Sequence, residues 1–308
     1  MDTRSDFAPA EAAATERRRR LVGIGLMCAA LLCFSALDAS AKWLNRSTDP
    51  LLTVWARYTA SVIFVSVLLN PIAKPGLLRT RRPWLQWARS LLLFLSTALN
   101  FFALQYLQLV ETISILFATP LLVALIAAPV LGERVGPRRL AAIVIGFIGV
   151  LIVTRPGFGA MHPAALLSVA GTICFALYSI TTRILAAYDP SETTMVYSGL
   201  AGVILMTPLL PWIWTTPPSL LTWALLFATG AFGAVGHWLL ILAHARAPAP
   251  ILAPFIYSQI IWMFALGYLV FGDWPDMWTF TGSAVVIASG LYLLYRERVT
   301  RSDSKVAT

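Results

Sequence analysis

Cys33-Phe34-Ser35-Ala36-Leu37-Asp38, followed by Lys42 and then Asp49-Pro50, is answered about 140 residues later by Cys174-Phe175-Ala176-Leu177-Tyr178-Ser179, Arg183 and Asp189-Pro190. Two further echoes keep about the same offset: Leu131-Gly132-Glu133 against Phe271-Gly272-Asp273, and Gly149 through Arg155 against Gly290 through Arg296. The repeating unit is therefore half the chain. In a hydrophobic chain, a repeat of that size points to a transporter.

Composition sets the solvent. Hydrophobic residues make up 58% of the 308 and charged ones 12%, whereas soluble domains carry roughly 25% charged residues. The net charge of +9 lies mostly in tails and short loops. No basic stripe interleaved with aromatics is present, so the charge reports membrane orientation and no nucleic-acid partner is expected. Cys28, Cys33 and Cys174 lie inside apolar runs without a C-x-x-C pair and read as small core residues.

Apolar segments fall near 21–43, 50–70, 84–106, 109–131, 137–154, 162–187, 190–214, 218–244, 248–271 and 276–295. Each is long enough, or nearly so, for a hydrocarbon core of about 30 Å. Asn70-Pro71, Lys74-Pro75-Gly76, Gly136-Pro137, Arg155-Pro156-Gly157, Pro217-Pro218 and Trp274-Pro275 break them with turn chemistry. The fold class expected is an all-α membrane protein of ten transmembrane helices in two five-helix repeats. Five is odd, so the second repeat enters from the opposite face and the repeats are inverted. The division is 1–20 as a cytoplasmic tail, 21–154 as the first repeat, 155–161 as a linker, 162–295 as the second repeat and 296–308 as a second cytoplasmic tail.

The Arg17 to Arg20 run places the N-terminus inside. On that choice Lys74, Arg79, Arg81, Arg82, Arg134, Arg138, Arg139, Arg183, Arg246 and the C-terminal cations also fall inside, leaving Lys42, Arg46, Arg57 and Arg155 outside. Ala39-Ser40-Ala41 also resembles a signal-peptide cleavage site. Cleavage there would remove one partner of a symmetric pair, so the repeat argues against it.

Ionisable groups inside spans need a reason to be there. Asp38 and Lys42, spaced i, i+4, can pair with each other, or Asp38 can hold a substrate ammonium or a proton. Arg57 and Glu111 form either an outer gate pair or a plain interfacial bridge, while Arg89 and Arg183 are expected to snorkel at the inner ends. His237 and His244 lie seven apart without a carboxylate, so no metal site is expected. The expected substrate cavity draws on Asp38, Asn100, Phe101, Gln105, Tyr178, His237, Trp238, Tyr257 and Ser258, an amphipathic mixture suited to a small organic ligand. Pro120 and Pro254 are candidate bends, with Gly146 and Gly149 as small faces for sliding.

Neither a zinc motif nor a nucleophile elbow is present, so no catalytic residue, enzyme activity or cofactor is expected. A channel lacks its filter loop, and a nucleotide-sugar carrier would need more midspan cations.

The C-F-[SA] starts at Cys33 and Cys174, Leu131-Gly132-Glu133, and Gly146-x-x-Gly149-Val150 resemble the EamA-type repeats of the drug/metabolite transporter superfamily over roughly 21–296. That resemblance implies a ten-helix secondary transporter of small organic solutes. Within the superfamily the chain is most similar to bacterial amino-acid exporters, including the aromatic branch. The implied function is amino-acid export across the bacterial inner membrane by alternating access, from a monomer whose partners are a small-molecule substrate and membrane lipid. The alternative is a carrier of another small organic metabolite or drug.

Overall fold

At Asn70-Pro71, Pro217-Pro218 and Trp274-Pro275 the turn residues marked in the sequence separate helices. The computed structural model describes residues 7–130, 137–155 and 162–306, and among them it is helical without a strand. The Leu131-Gly132-Glu133 echo, the first six residues and all of the linker except Arg155 lie outside the described residues.

In the first half, α1 is Phe7–Leu44, α2 Pro50–Leu69, α3 Pro83–Ala103, α4 Leu109–Leu116, α5 Thr119–Val130 and α6 Pro137–Thr154. In the second, α7 is Ala164–Leu185, α8 Ser191–Ser198, α9 Leu200–Met206, α10 Leu210–Ile213, α11 Leu220–Arg246, α12 Ala249–Leu252, α13 Gln259–Leu266 and α14 Met277–Val306. Local chemistry fixes the ends. The Asp49 carboxylate accepts from Leu51 N at 2.7 Å ahead of Pro50 to start α2, and Asn70 closes it in the left-handed region at φ 46°. Glu111 returns to the Gln108 backbone N–H at 2.7 Å to start α4, and Asp276 accepts from Thr279 N at 2.8 Å to start α14.

Among the described residues, eight helical segments are long and apolar enough to cross a membrane: Arg17–Leu44, Pro50–Leu69, Leu109–Ile126, Ala164–Leu185, Ser191–Ile213, Leu220–Arg246, Ala253–Phe271 and Met277–Tyr295. The other two expected spans fall on α3 and α6. Gln86, Arg89 and Asn100 dilute the hydropathy of α3, and the apolar part of α6, Leu140–Thr154, is short. The expected N-terminal tail is in part helix, because α1 begins at Phe7 and carries Arg17 to Arg20 on its exposed surface.

Two long segments are broken midway. Phe117 and Ala118 interrupt the first between α4 and α5, next to Pro120, while a 3-10 stretch over Ala253–Ser258, containing Pro254, interrupts the second between α12 and α13. The breaks meet, with the Phe117 and Tyr257 rings edge to face at 4.9 Å.

Small residues set the crossings. Gly230 of α11 lies against Ala60 and the Arg57 carbonyl of α2, and Gly233 and Gly236 lie against Leu37 and Phe34 of α1. Gly149 of α6 faces Gly282 of α14 across a backbone approach that a Cβ on either would block. Gly171 of α7 sits on the Ser96 carbonyl of α3. The main pairings are thus α1 with α11, α2 with α11, α3 with α7 and α6 with α14. Gly146 and Gly149 stand as packing contacts at the last of these, since the Leu121 side chain and Val286 occupy the space beside them. Large apolar side chains such as Val67 (80% exposed) and Leu269 (76%) cover the outside, a surface suited to lipid and not to water.

Candidate functional site

A polar stripe runs along α3. Gln86, Arg89 with Ser90, Thr97 and Asn100 lie on one face, with the apolar Leu93 filling the turn between Ser90 and Thr97, and all but Asn100 are buried against other helices. Arg89 donates from Nε to the Thr182 hydroxyl at 2.7 Å, from Nη1 to the Thr194 carbonyl at 3.2 Å and the Ser198 hydroxyl at 2.9 Å, and from Nη2 to the Tyr178 hydroxyl at 2.8 Å. One guanidinium thereby ties α3 to α7 and α8. It is 4% exposed and does not snorkel, because neutral acceptors inside the bundle satisfy its fork.

Further along the stripe, Asn100 donates to Asp38 Oδ1 at 3.1 Å. The Tyr58 hydroxyl lies 3.0 Å from the Leu93 carbonyl and 2.9 Å from the Thr97 hydroxyl, and the Arg57 guanidinium rests over the Tyr58 ring at 4.5 Å. His237 on α11 meets the edge of Phe34 at 5.0 Å, and Arg57 acts electrostatically on both His237 and Asp38. Asp38, Asn100, Arg57, Tyr58, Phe34 and His237 thus form one cluster where α1, α2, α3 and α11 cross. It offers a hydrogen-bonded carboxylate, a guanidinium and three rings.

Each end of the bundle carries a closing network. At one end Lys42 Nζ bonds Asp273 Oδ2 at 2.6 Å and the Leu107 carbonyl at 3.0 Å, and Arg155 pairs with Asp276 at 2.7 Å. Burial alone would raise Asp276, but the Thr279 N–H and Arg155 hold its carboxyl below the usual range. Tyr106, Glu111, Arg155 and His162 line a small pocket of about 100 Å³ there, with the Tyr106 and His162 rings stacked at 4.6 Å. At the other end Asp189 accepts from the Thr80 hydroxyl, from Arg81 N at 2.9 Å and from Gln86 Nε2 at 2.8 Å. Burial acts to raise Asp189 too, and these donors with the Arg81 charge outweigh it, leaving its pKa lowered. A larger cavity of about 350 Å³ lies among α4 to α7, lined by apolar side chains such as Ile115, Phe147 and Val169, and contains none of the expected substrate residues.

Of the nine expected cavity residues, the structure joins Asp38 directly to Asn100, sets His237 against Phe34, and links Tyr178 to Arg89 on the same α3 stripe. The others stand elsewhere. Gln105 is exposed in the turn after α3, because that helix ends at Ala103. Phe101 is 1% exposed in the apolar core. Tyr257 packs on Phe117, Ser258 donates to Cys28 Sγ at 3.8 Å, and Trp238 is half-buried on α11.

Two expected pairings are also replaced. Lys42 turns from Asp38 to Asp273, and Asp38 takes Asn100 instead. No ion pair joins Arg57 to Glu111 among the described residues, since Glu111 caps α4 while Arg57 lies inside the central cluster. His244 is exposed on its own helix, bonded to the Leu240 carbonyl, apart from the ring partner of His237. Tyr58, Phe34, the central rather than outer place of Arg57 and the inward role of Arg89 are not read from the sequence. For Arg89 the signal was available, as the period of the α3 stripe is readable from sequence.

The model of the EamA-like transporter family matches the chain twice, over residues 21–155 and 162–296. An S-adenosylmethionine uptake transporter of Rickettsia bellii is 26% identical over 284 residues, covering 91% of this chain and 96% of the relative. A riboflavin transporter of Rhizobium johnstonii is 28% identical over 291 residues, covering 92% and 94%, and one of Vibrio cholerae is 27% identical, covering 93% and 98%. A solved crystal structure shares the fold with a TM-score of 0.60 at 18% identity, covering 87% of this chain and 94% of that one.

Proposed function

Because the chain belongs to the EamA-like transporter family, a multi-pass membrane protein that moves small metabolites, we propose that it is a secondary carrier working by alternating access around the Asp38–Asn100 cluster. In this reading α3 and α6 also cross the membrane, making ten spans in two inverted units, 21–154 and 162–295. The helix pairings support it. Exchanging each span for its counterpart five spans on turns the α1–α11 pairing into α7–α3 and maps α6–α14 onto itself. Both termini lie in the cytoplasm of a bacterium, with the Lys42 end facing out across the inner membrane, as the cation distribution favours.

The relatives reported above carry no amino-acid name, so the amino-acid export reading gives way to its alternative, another small organic metabolite. S-adenosylmethionine and riboflavin share a nitrogen heteroaromatic ring system bearing a hydroxylated five-carbon unit, a ribose in the first and a ribityl chain in the second. The substrate proposed here is a solute of that kind. The observation that carries it is the Asp38 carboxylate, held by Asn100 among the rings of Phe34, Tyr58 and His237. The carboxylate accepts from an N–H or hydroxyl, and the rings offer stacking faces.

Uptake into proteoliposomes of labelled S-adenosylmethionine, riboflavin and a panel of aromatic amino acids, with and without a proton gradient, tests this. Transport of at least one of the first two is expected, falling about tenfold or more in Asp38→Asn. Transport of the amino acids alone would reverse the substrate assignment.

A further inference from the structure

Among the described residues Arg57 has no ion-pair partner. The residue is only 8% exposed, and its Nε is buried without a hydrogen-bond partner among them. Among the described residues no carboxylate lies within 4.0 Å of the guanidinium, although Asp38 is near enough to feel its charge. Its charged head rests over the face of Tyr58, and its Nη2 lies close to Gly233. Arg89, also buried and likewise set over a tyrosine ring, differs in having three nitrogens bonded to four acceptors. The central cluster thus holds one guanidinium and one carboxylate that do not touch, and the Nε of that guanidinium is left unsatisfied among the described residues. A buried cation inside a span is retained only where something pairs with it.

We propose that Arg57 is the carboxylate subsite of the transported solute. The proposal rests on the carrier reading above and deepens it: the solute presents a carboxylate to the Arg57 fork while an N–H or ammonium group meets Asp38. The planar fork matches a carboxylate through two parallel N–H donors, which a lysine could not reproduce. The separation of Arg57 from Asp38 leaves the two free to take opposite ends of one zwitterionic group.

Equilibrium binding to the purified carrier of S-adenosylmethionine and its decarboxylated counterpart, which keeps the ammonium, sulfonium and adenosine, tests the assignment. The wild-type chain is expected to favour the carboxylate-bearing member about tenfold or more. Arg57→Gln should remove that preference by weakening the first ligand and leaving the second within about twofold, and Arg57→Lys should keep part of it. If Arg57→Gln does not fold, the wild-type ratio decides, and a ratio near one overturns the proposal. Binding of riboflavin without S-adenosylmethionine overturns it while leaving the carrier reading intact. A preference for riboflavin 5′-phosphate over riboflavin that vanishes in Arg57→Gln would make the anion a phosphate and overturn the carboxylate assignment. If none of these ligands binds, the substrate reading fails and this proposal with it.

Discussion

Tyr257 and Gly290 show how single atoms fix the centre of the bundle. Tyr257 stands on Phe117 at the meeting of the two broken segments, and its buried hydroxyl has no hydrogen-bond partner among the described residues. A Cβ on Gly290 would overlap that hydroxyl, so the glycine is required by a close approach and not by its backbone angles. Gly290→Ala is expected to destabilise the fold by about 1–3 kcal/mol, an overpacking cost. Tyr257→Phe in the same chain should recover part of the loss, and alone it should be neutral or stabilising, because an unsatisfied buried hydroxyl costs about 1–3 kcal/mol. Thermal unfolding of the four chains in detergent checks both statements. A Tyr257→Phe chain markedly less stable than wild type would mean that the hydroxyl is satisfied after all.

At the scale of elements, what decides is where each capping residue looks. Asp49-Pro50 and Asp189-Pro190 match in sequence, yet Asp49 caps its own helix while Asp189 reaches the segment leading into α3 through Thr80, Arg81 and Gln86. The Asp189 carboxyl is held below its ordinary value in the folded protein, so the unfolded chain binds the proton more readily. The stabilisation from this seam is therefore complete above the unfolded pKa of about 3.9 and is lost as pH falls through the lower folded value. Asp189→Asn should cost about 1–3 kcal/mol at neutral pH. It should also flatten the acid limb of the stability curve, measured by denaturation between neutral pH and the acid range. An unchanged acid limb would show that the seam does not carry that dependence. The helix ends were legible because Pro, Gly and Asx chemistry is local, and so was the Pro120 break. Partners across the halves were not. Lys42 has Asp38 one turn away, but its carboxylate is Asp273, 231 residues on, and Arg89 finds acceptors 89 to 109 residues away. Periodicity tells which face of a helix is polar, but not what that face meets, which explains how Arg89 reads as a snorkelling end residue and Arg57 as an outer one.

For the whole molecule, the central cluster lies between two seals, the Lys42–Asp273 pair with its Leu107 bond at one end and the Arg89 and Asp189 networks at the other. A carrier that alternates must break these in turn, so each seal stabilises the state closed at its own end, and the two are coupled through one equilibrium. Loss of about 1.4 kcal/mol from either seal moves that equilibrium about tenfold. Asp273→Asn removes the charge from a pair whose side chains are only 16% and 24% exposed, and Thr182→Val removes the acceptor of Arg89 Nε. Spin labels at Ser47 and Met277 report the Lys42 end, and labels at Arg79 and Glu192 report the other, all on exposed residues. Asp273→Asn is expected to raise the long-distance population at the first pair by roughly tenfold while lowering it at the second. Thr182→Val should do the reverse, and the double variant should lie near wild type, because opposing shifts on a single two-state equilibrium cancel. If both pairs lengthen together in either variant, the seals merely hold the bundle together and the alternating reading of the two ends is wrong.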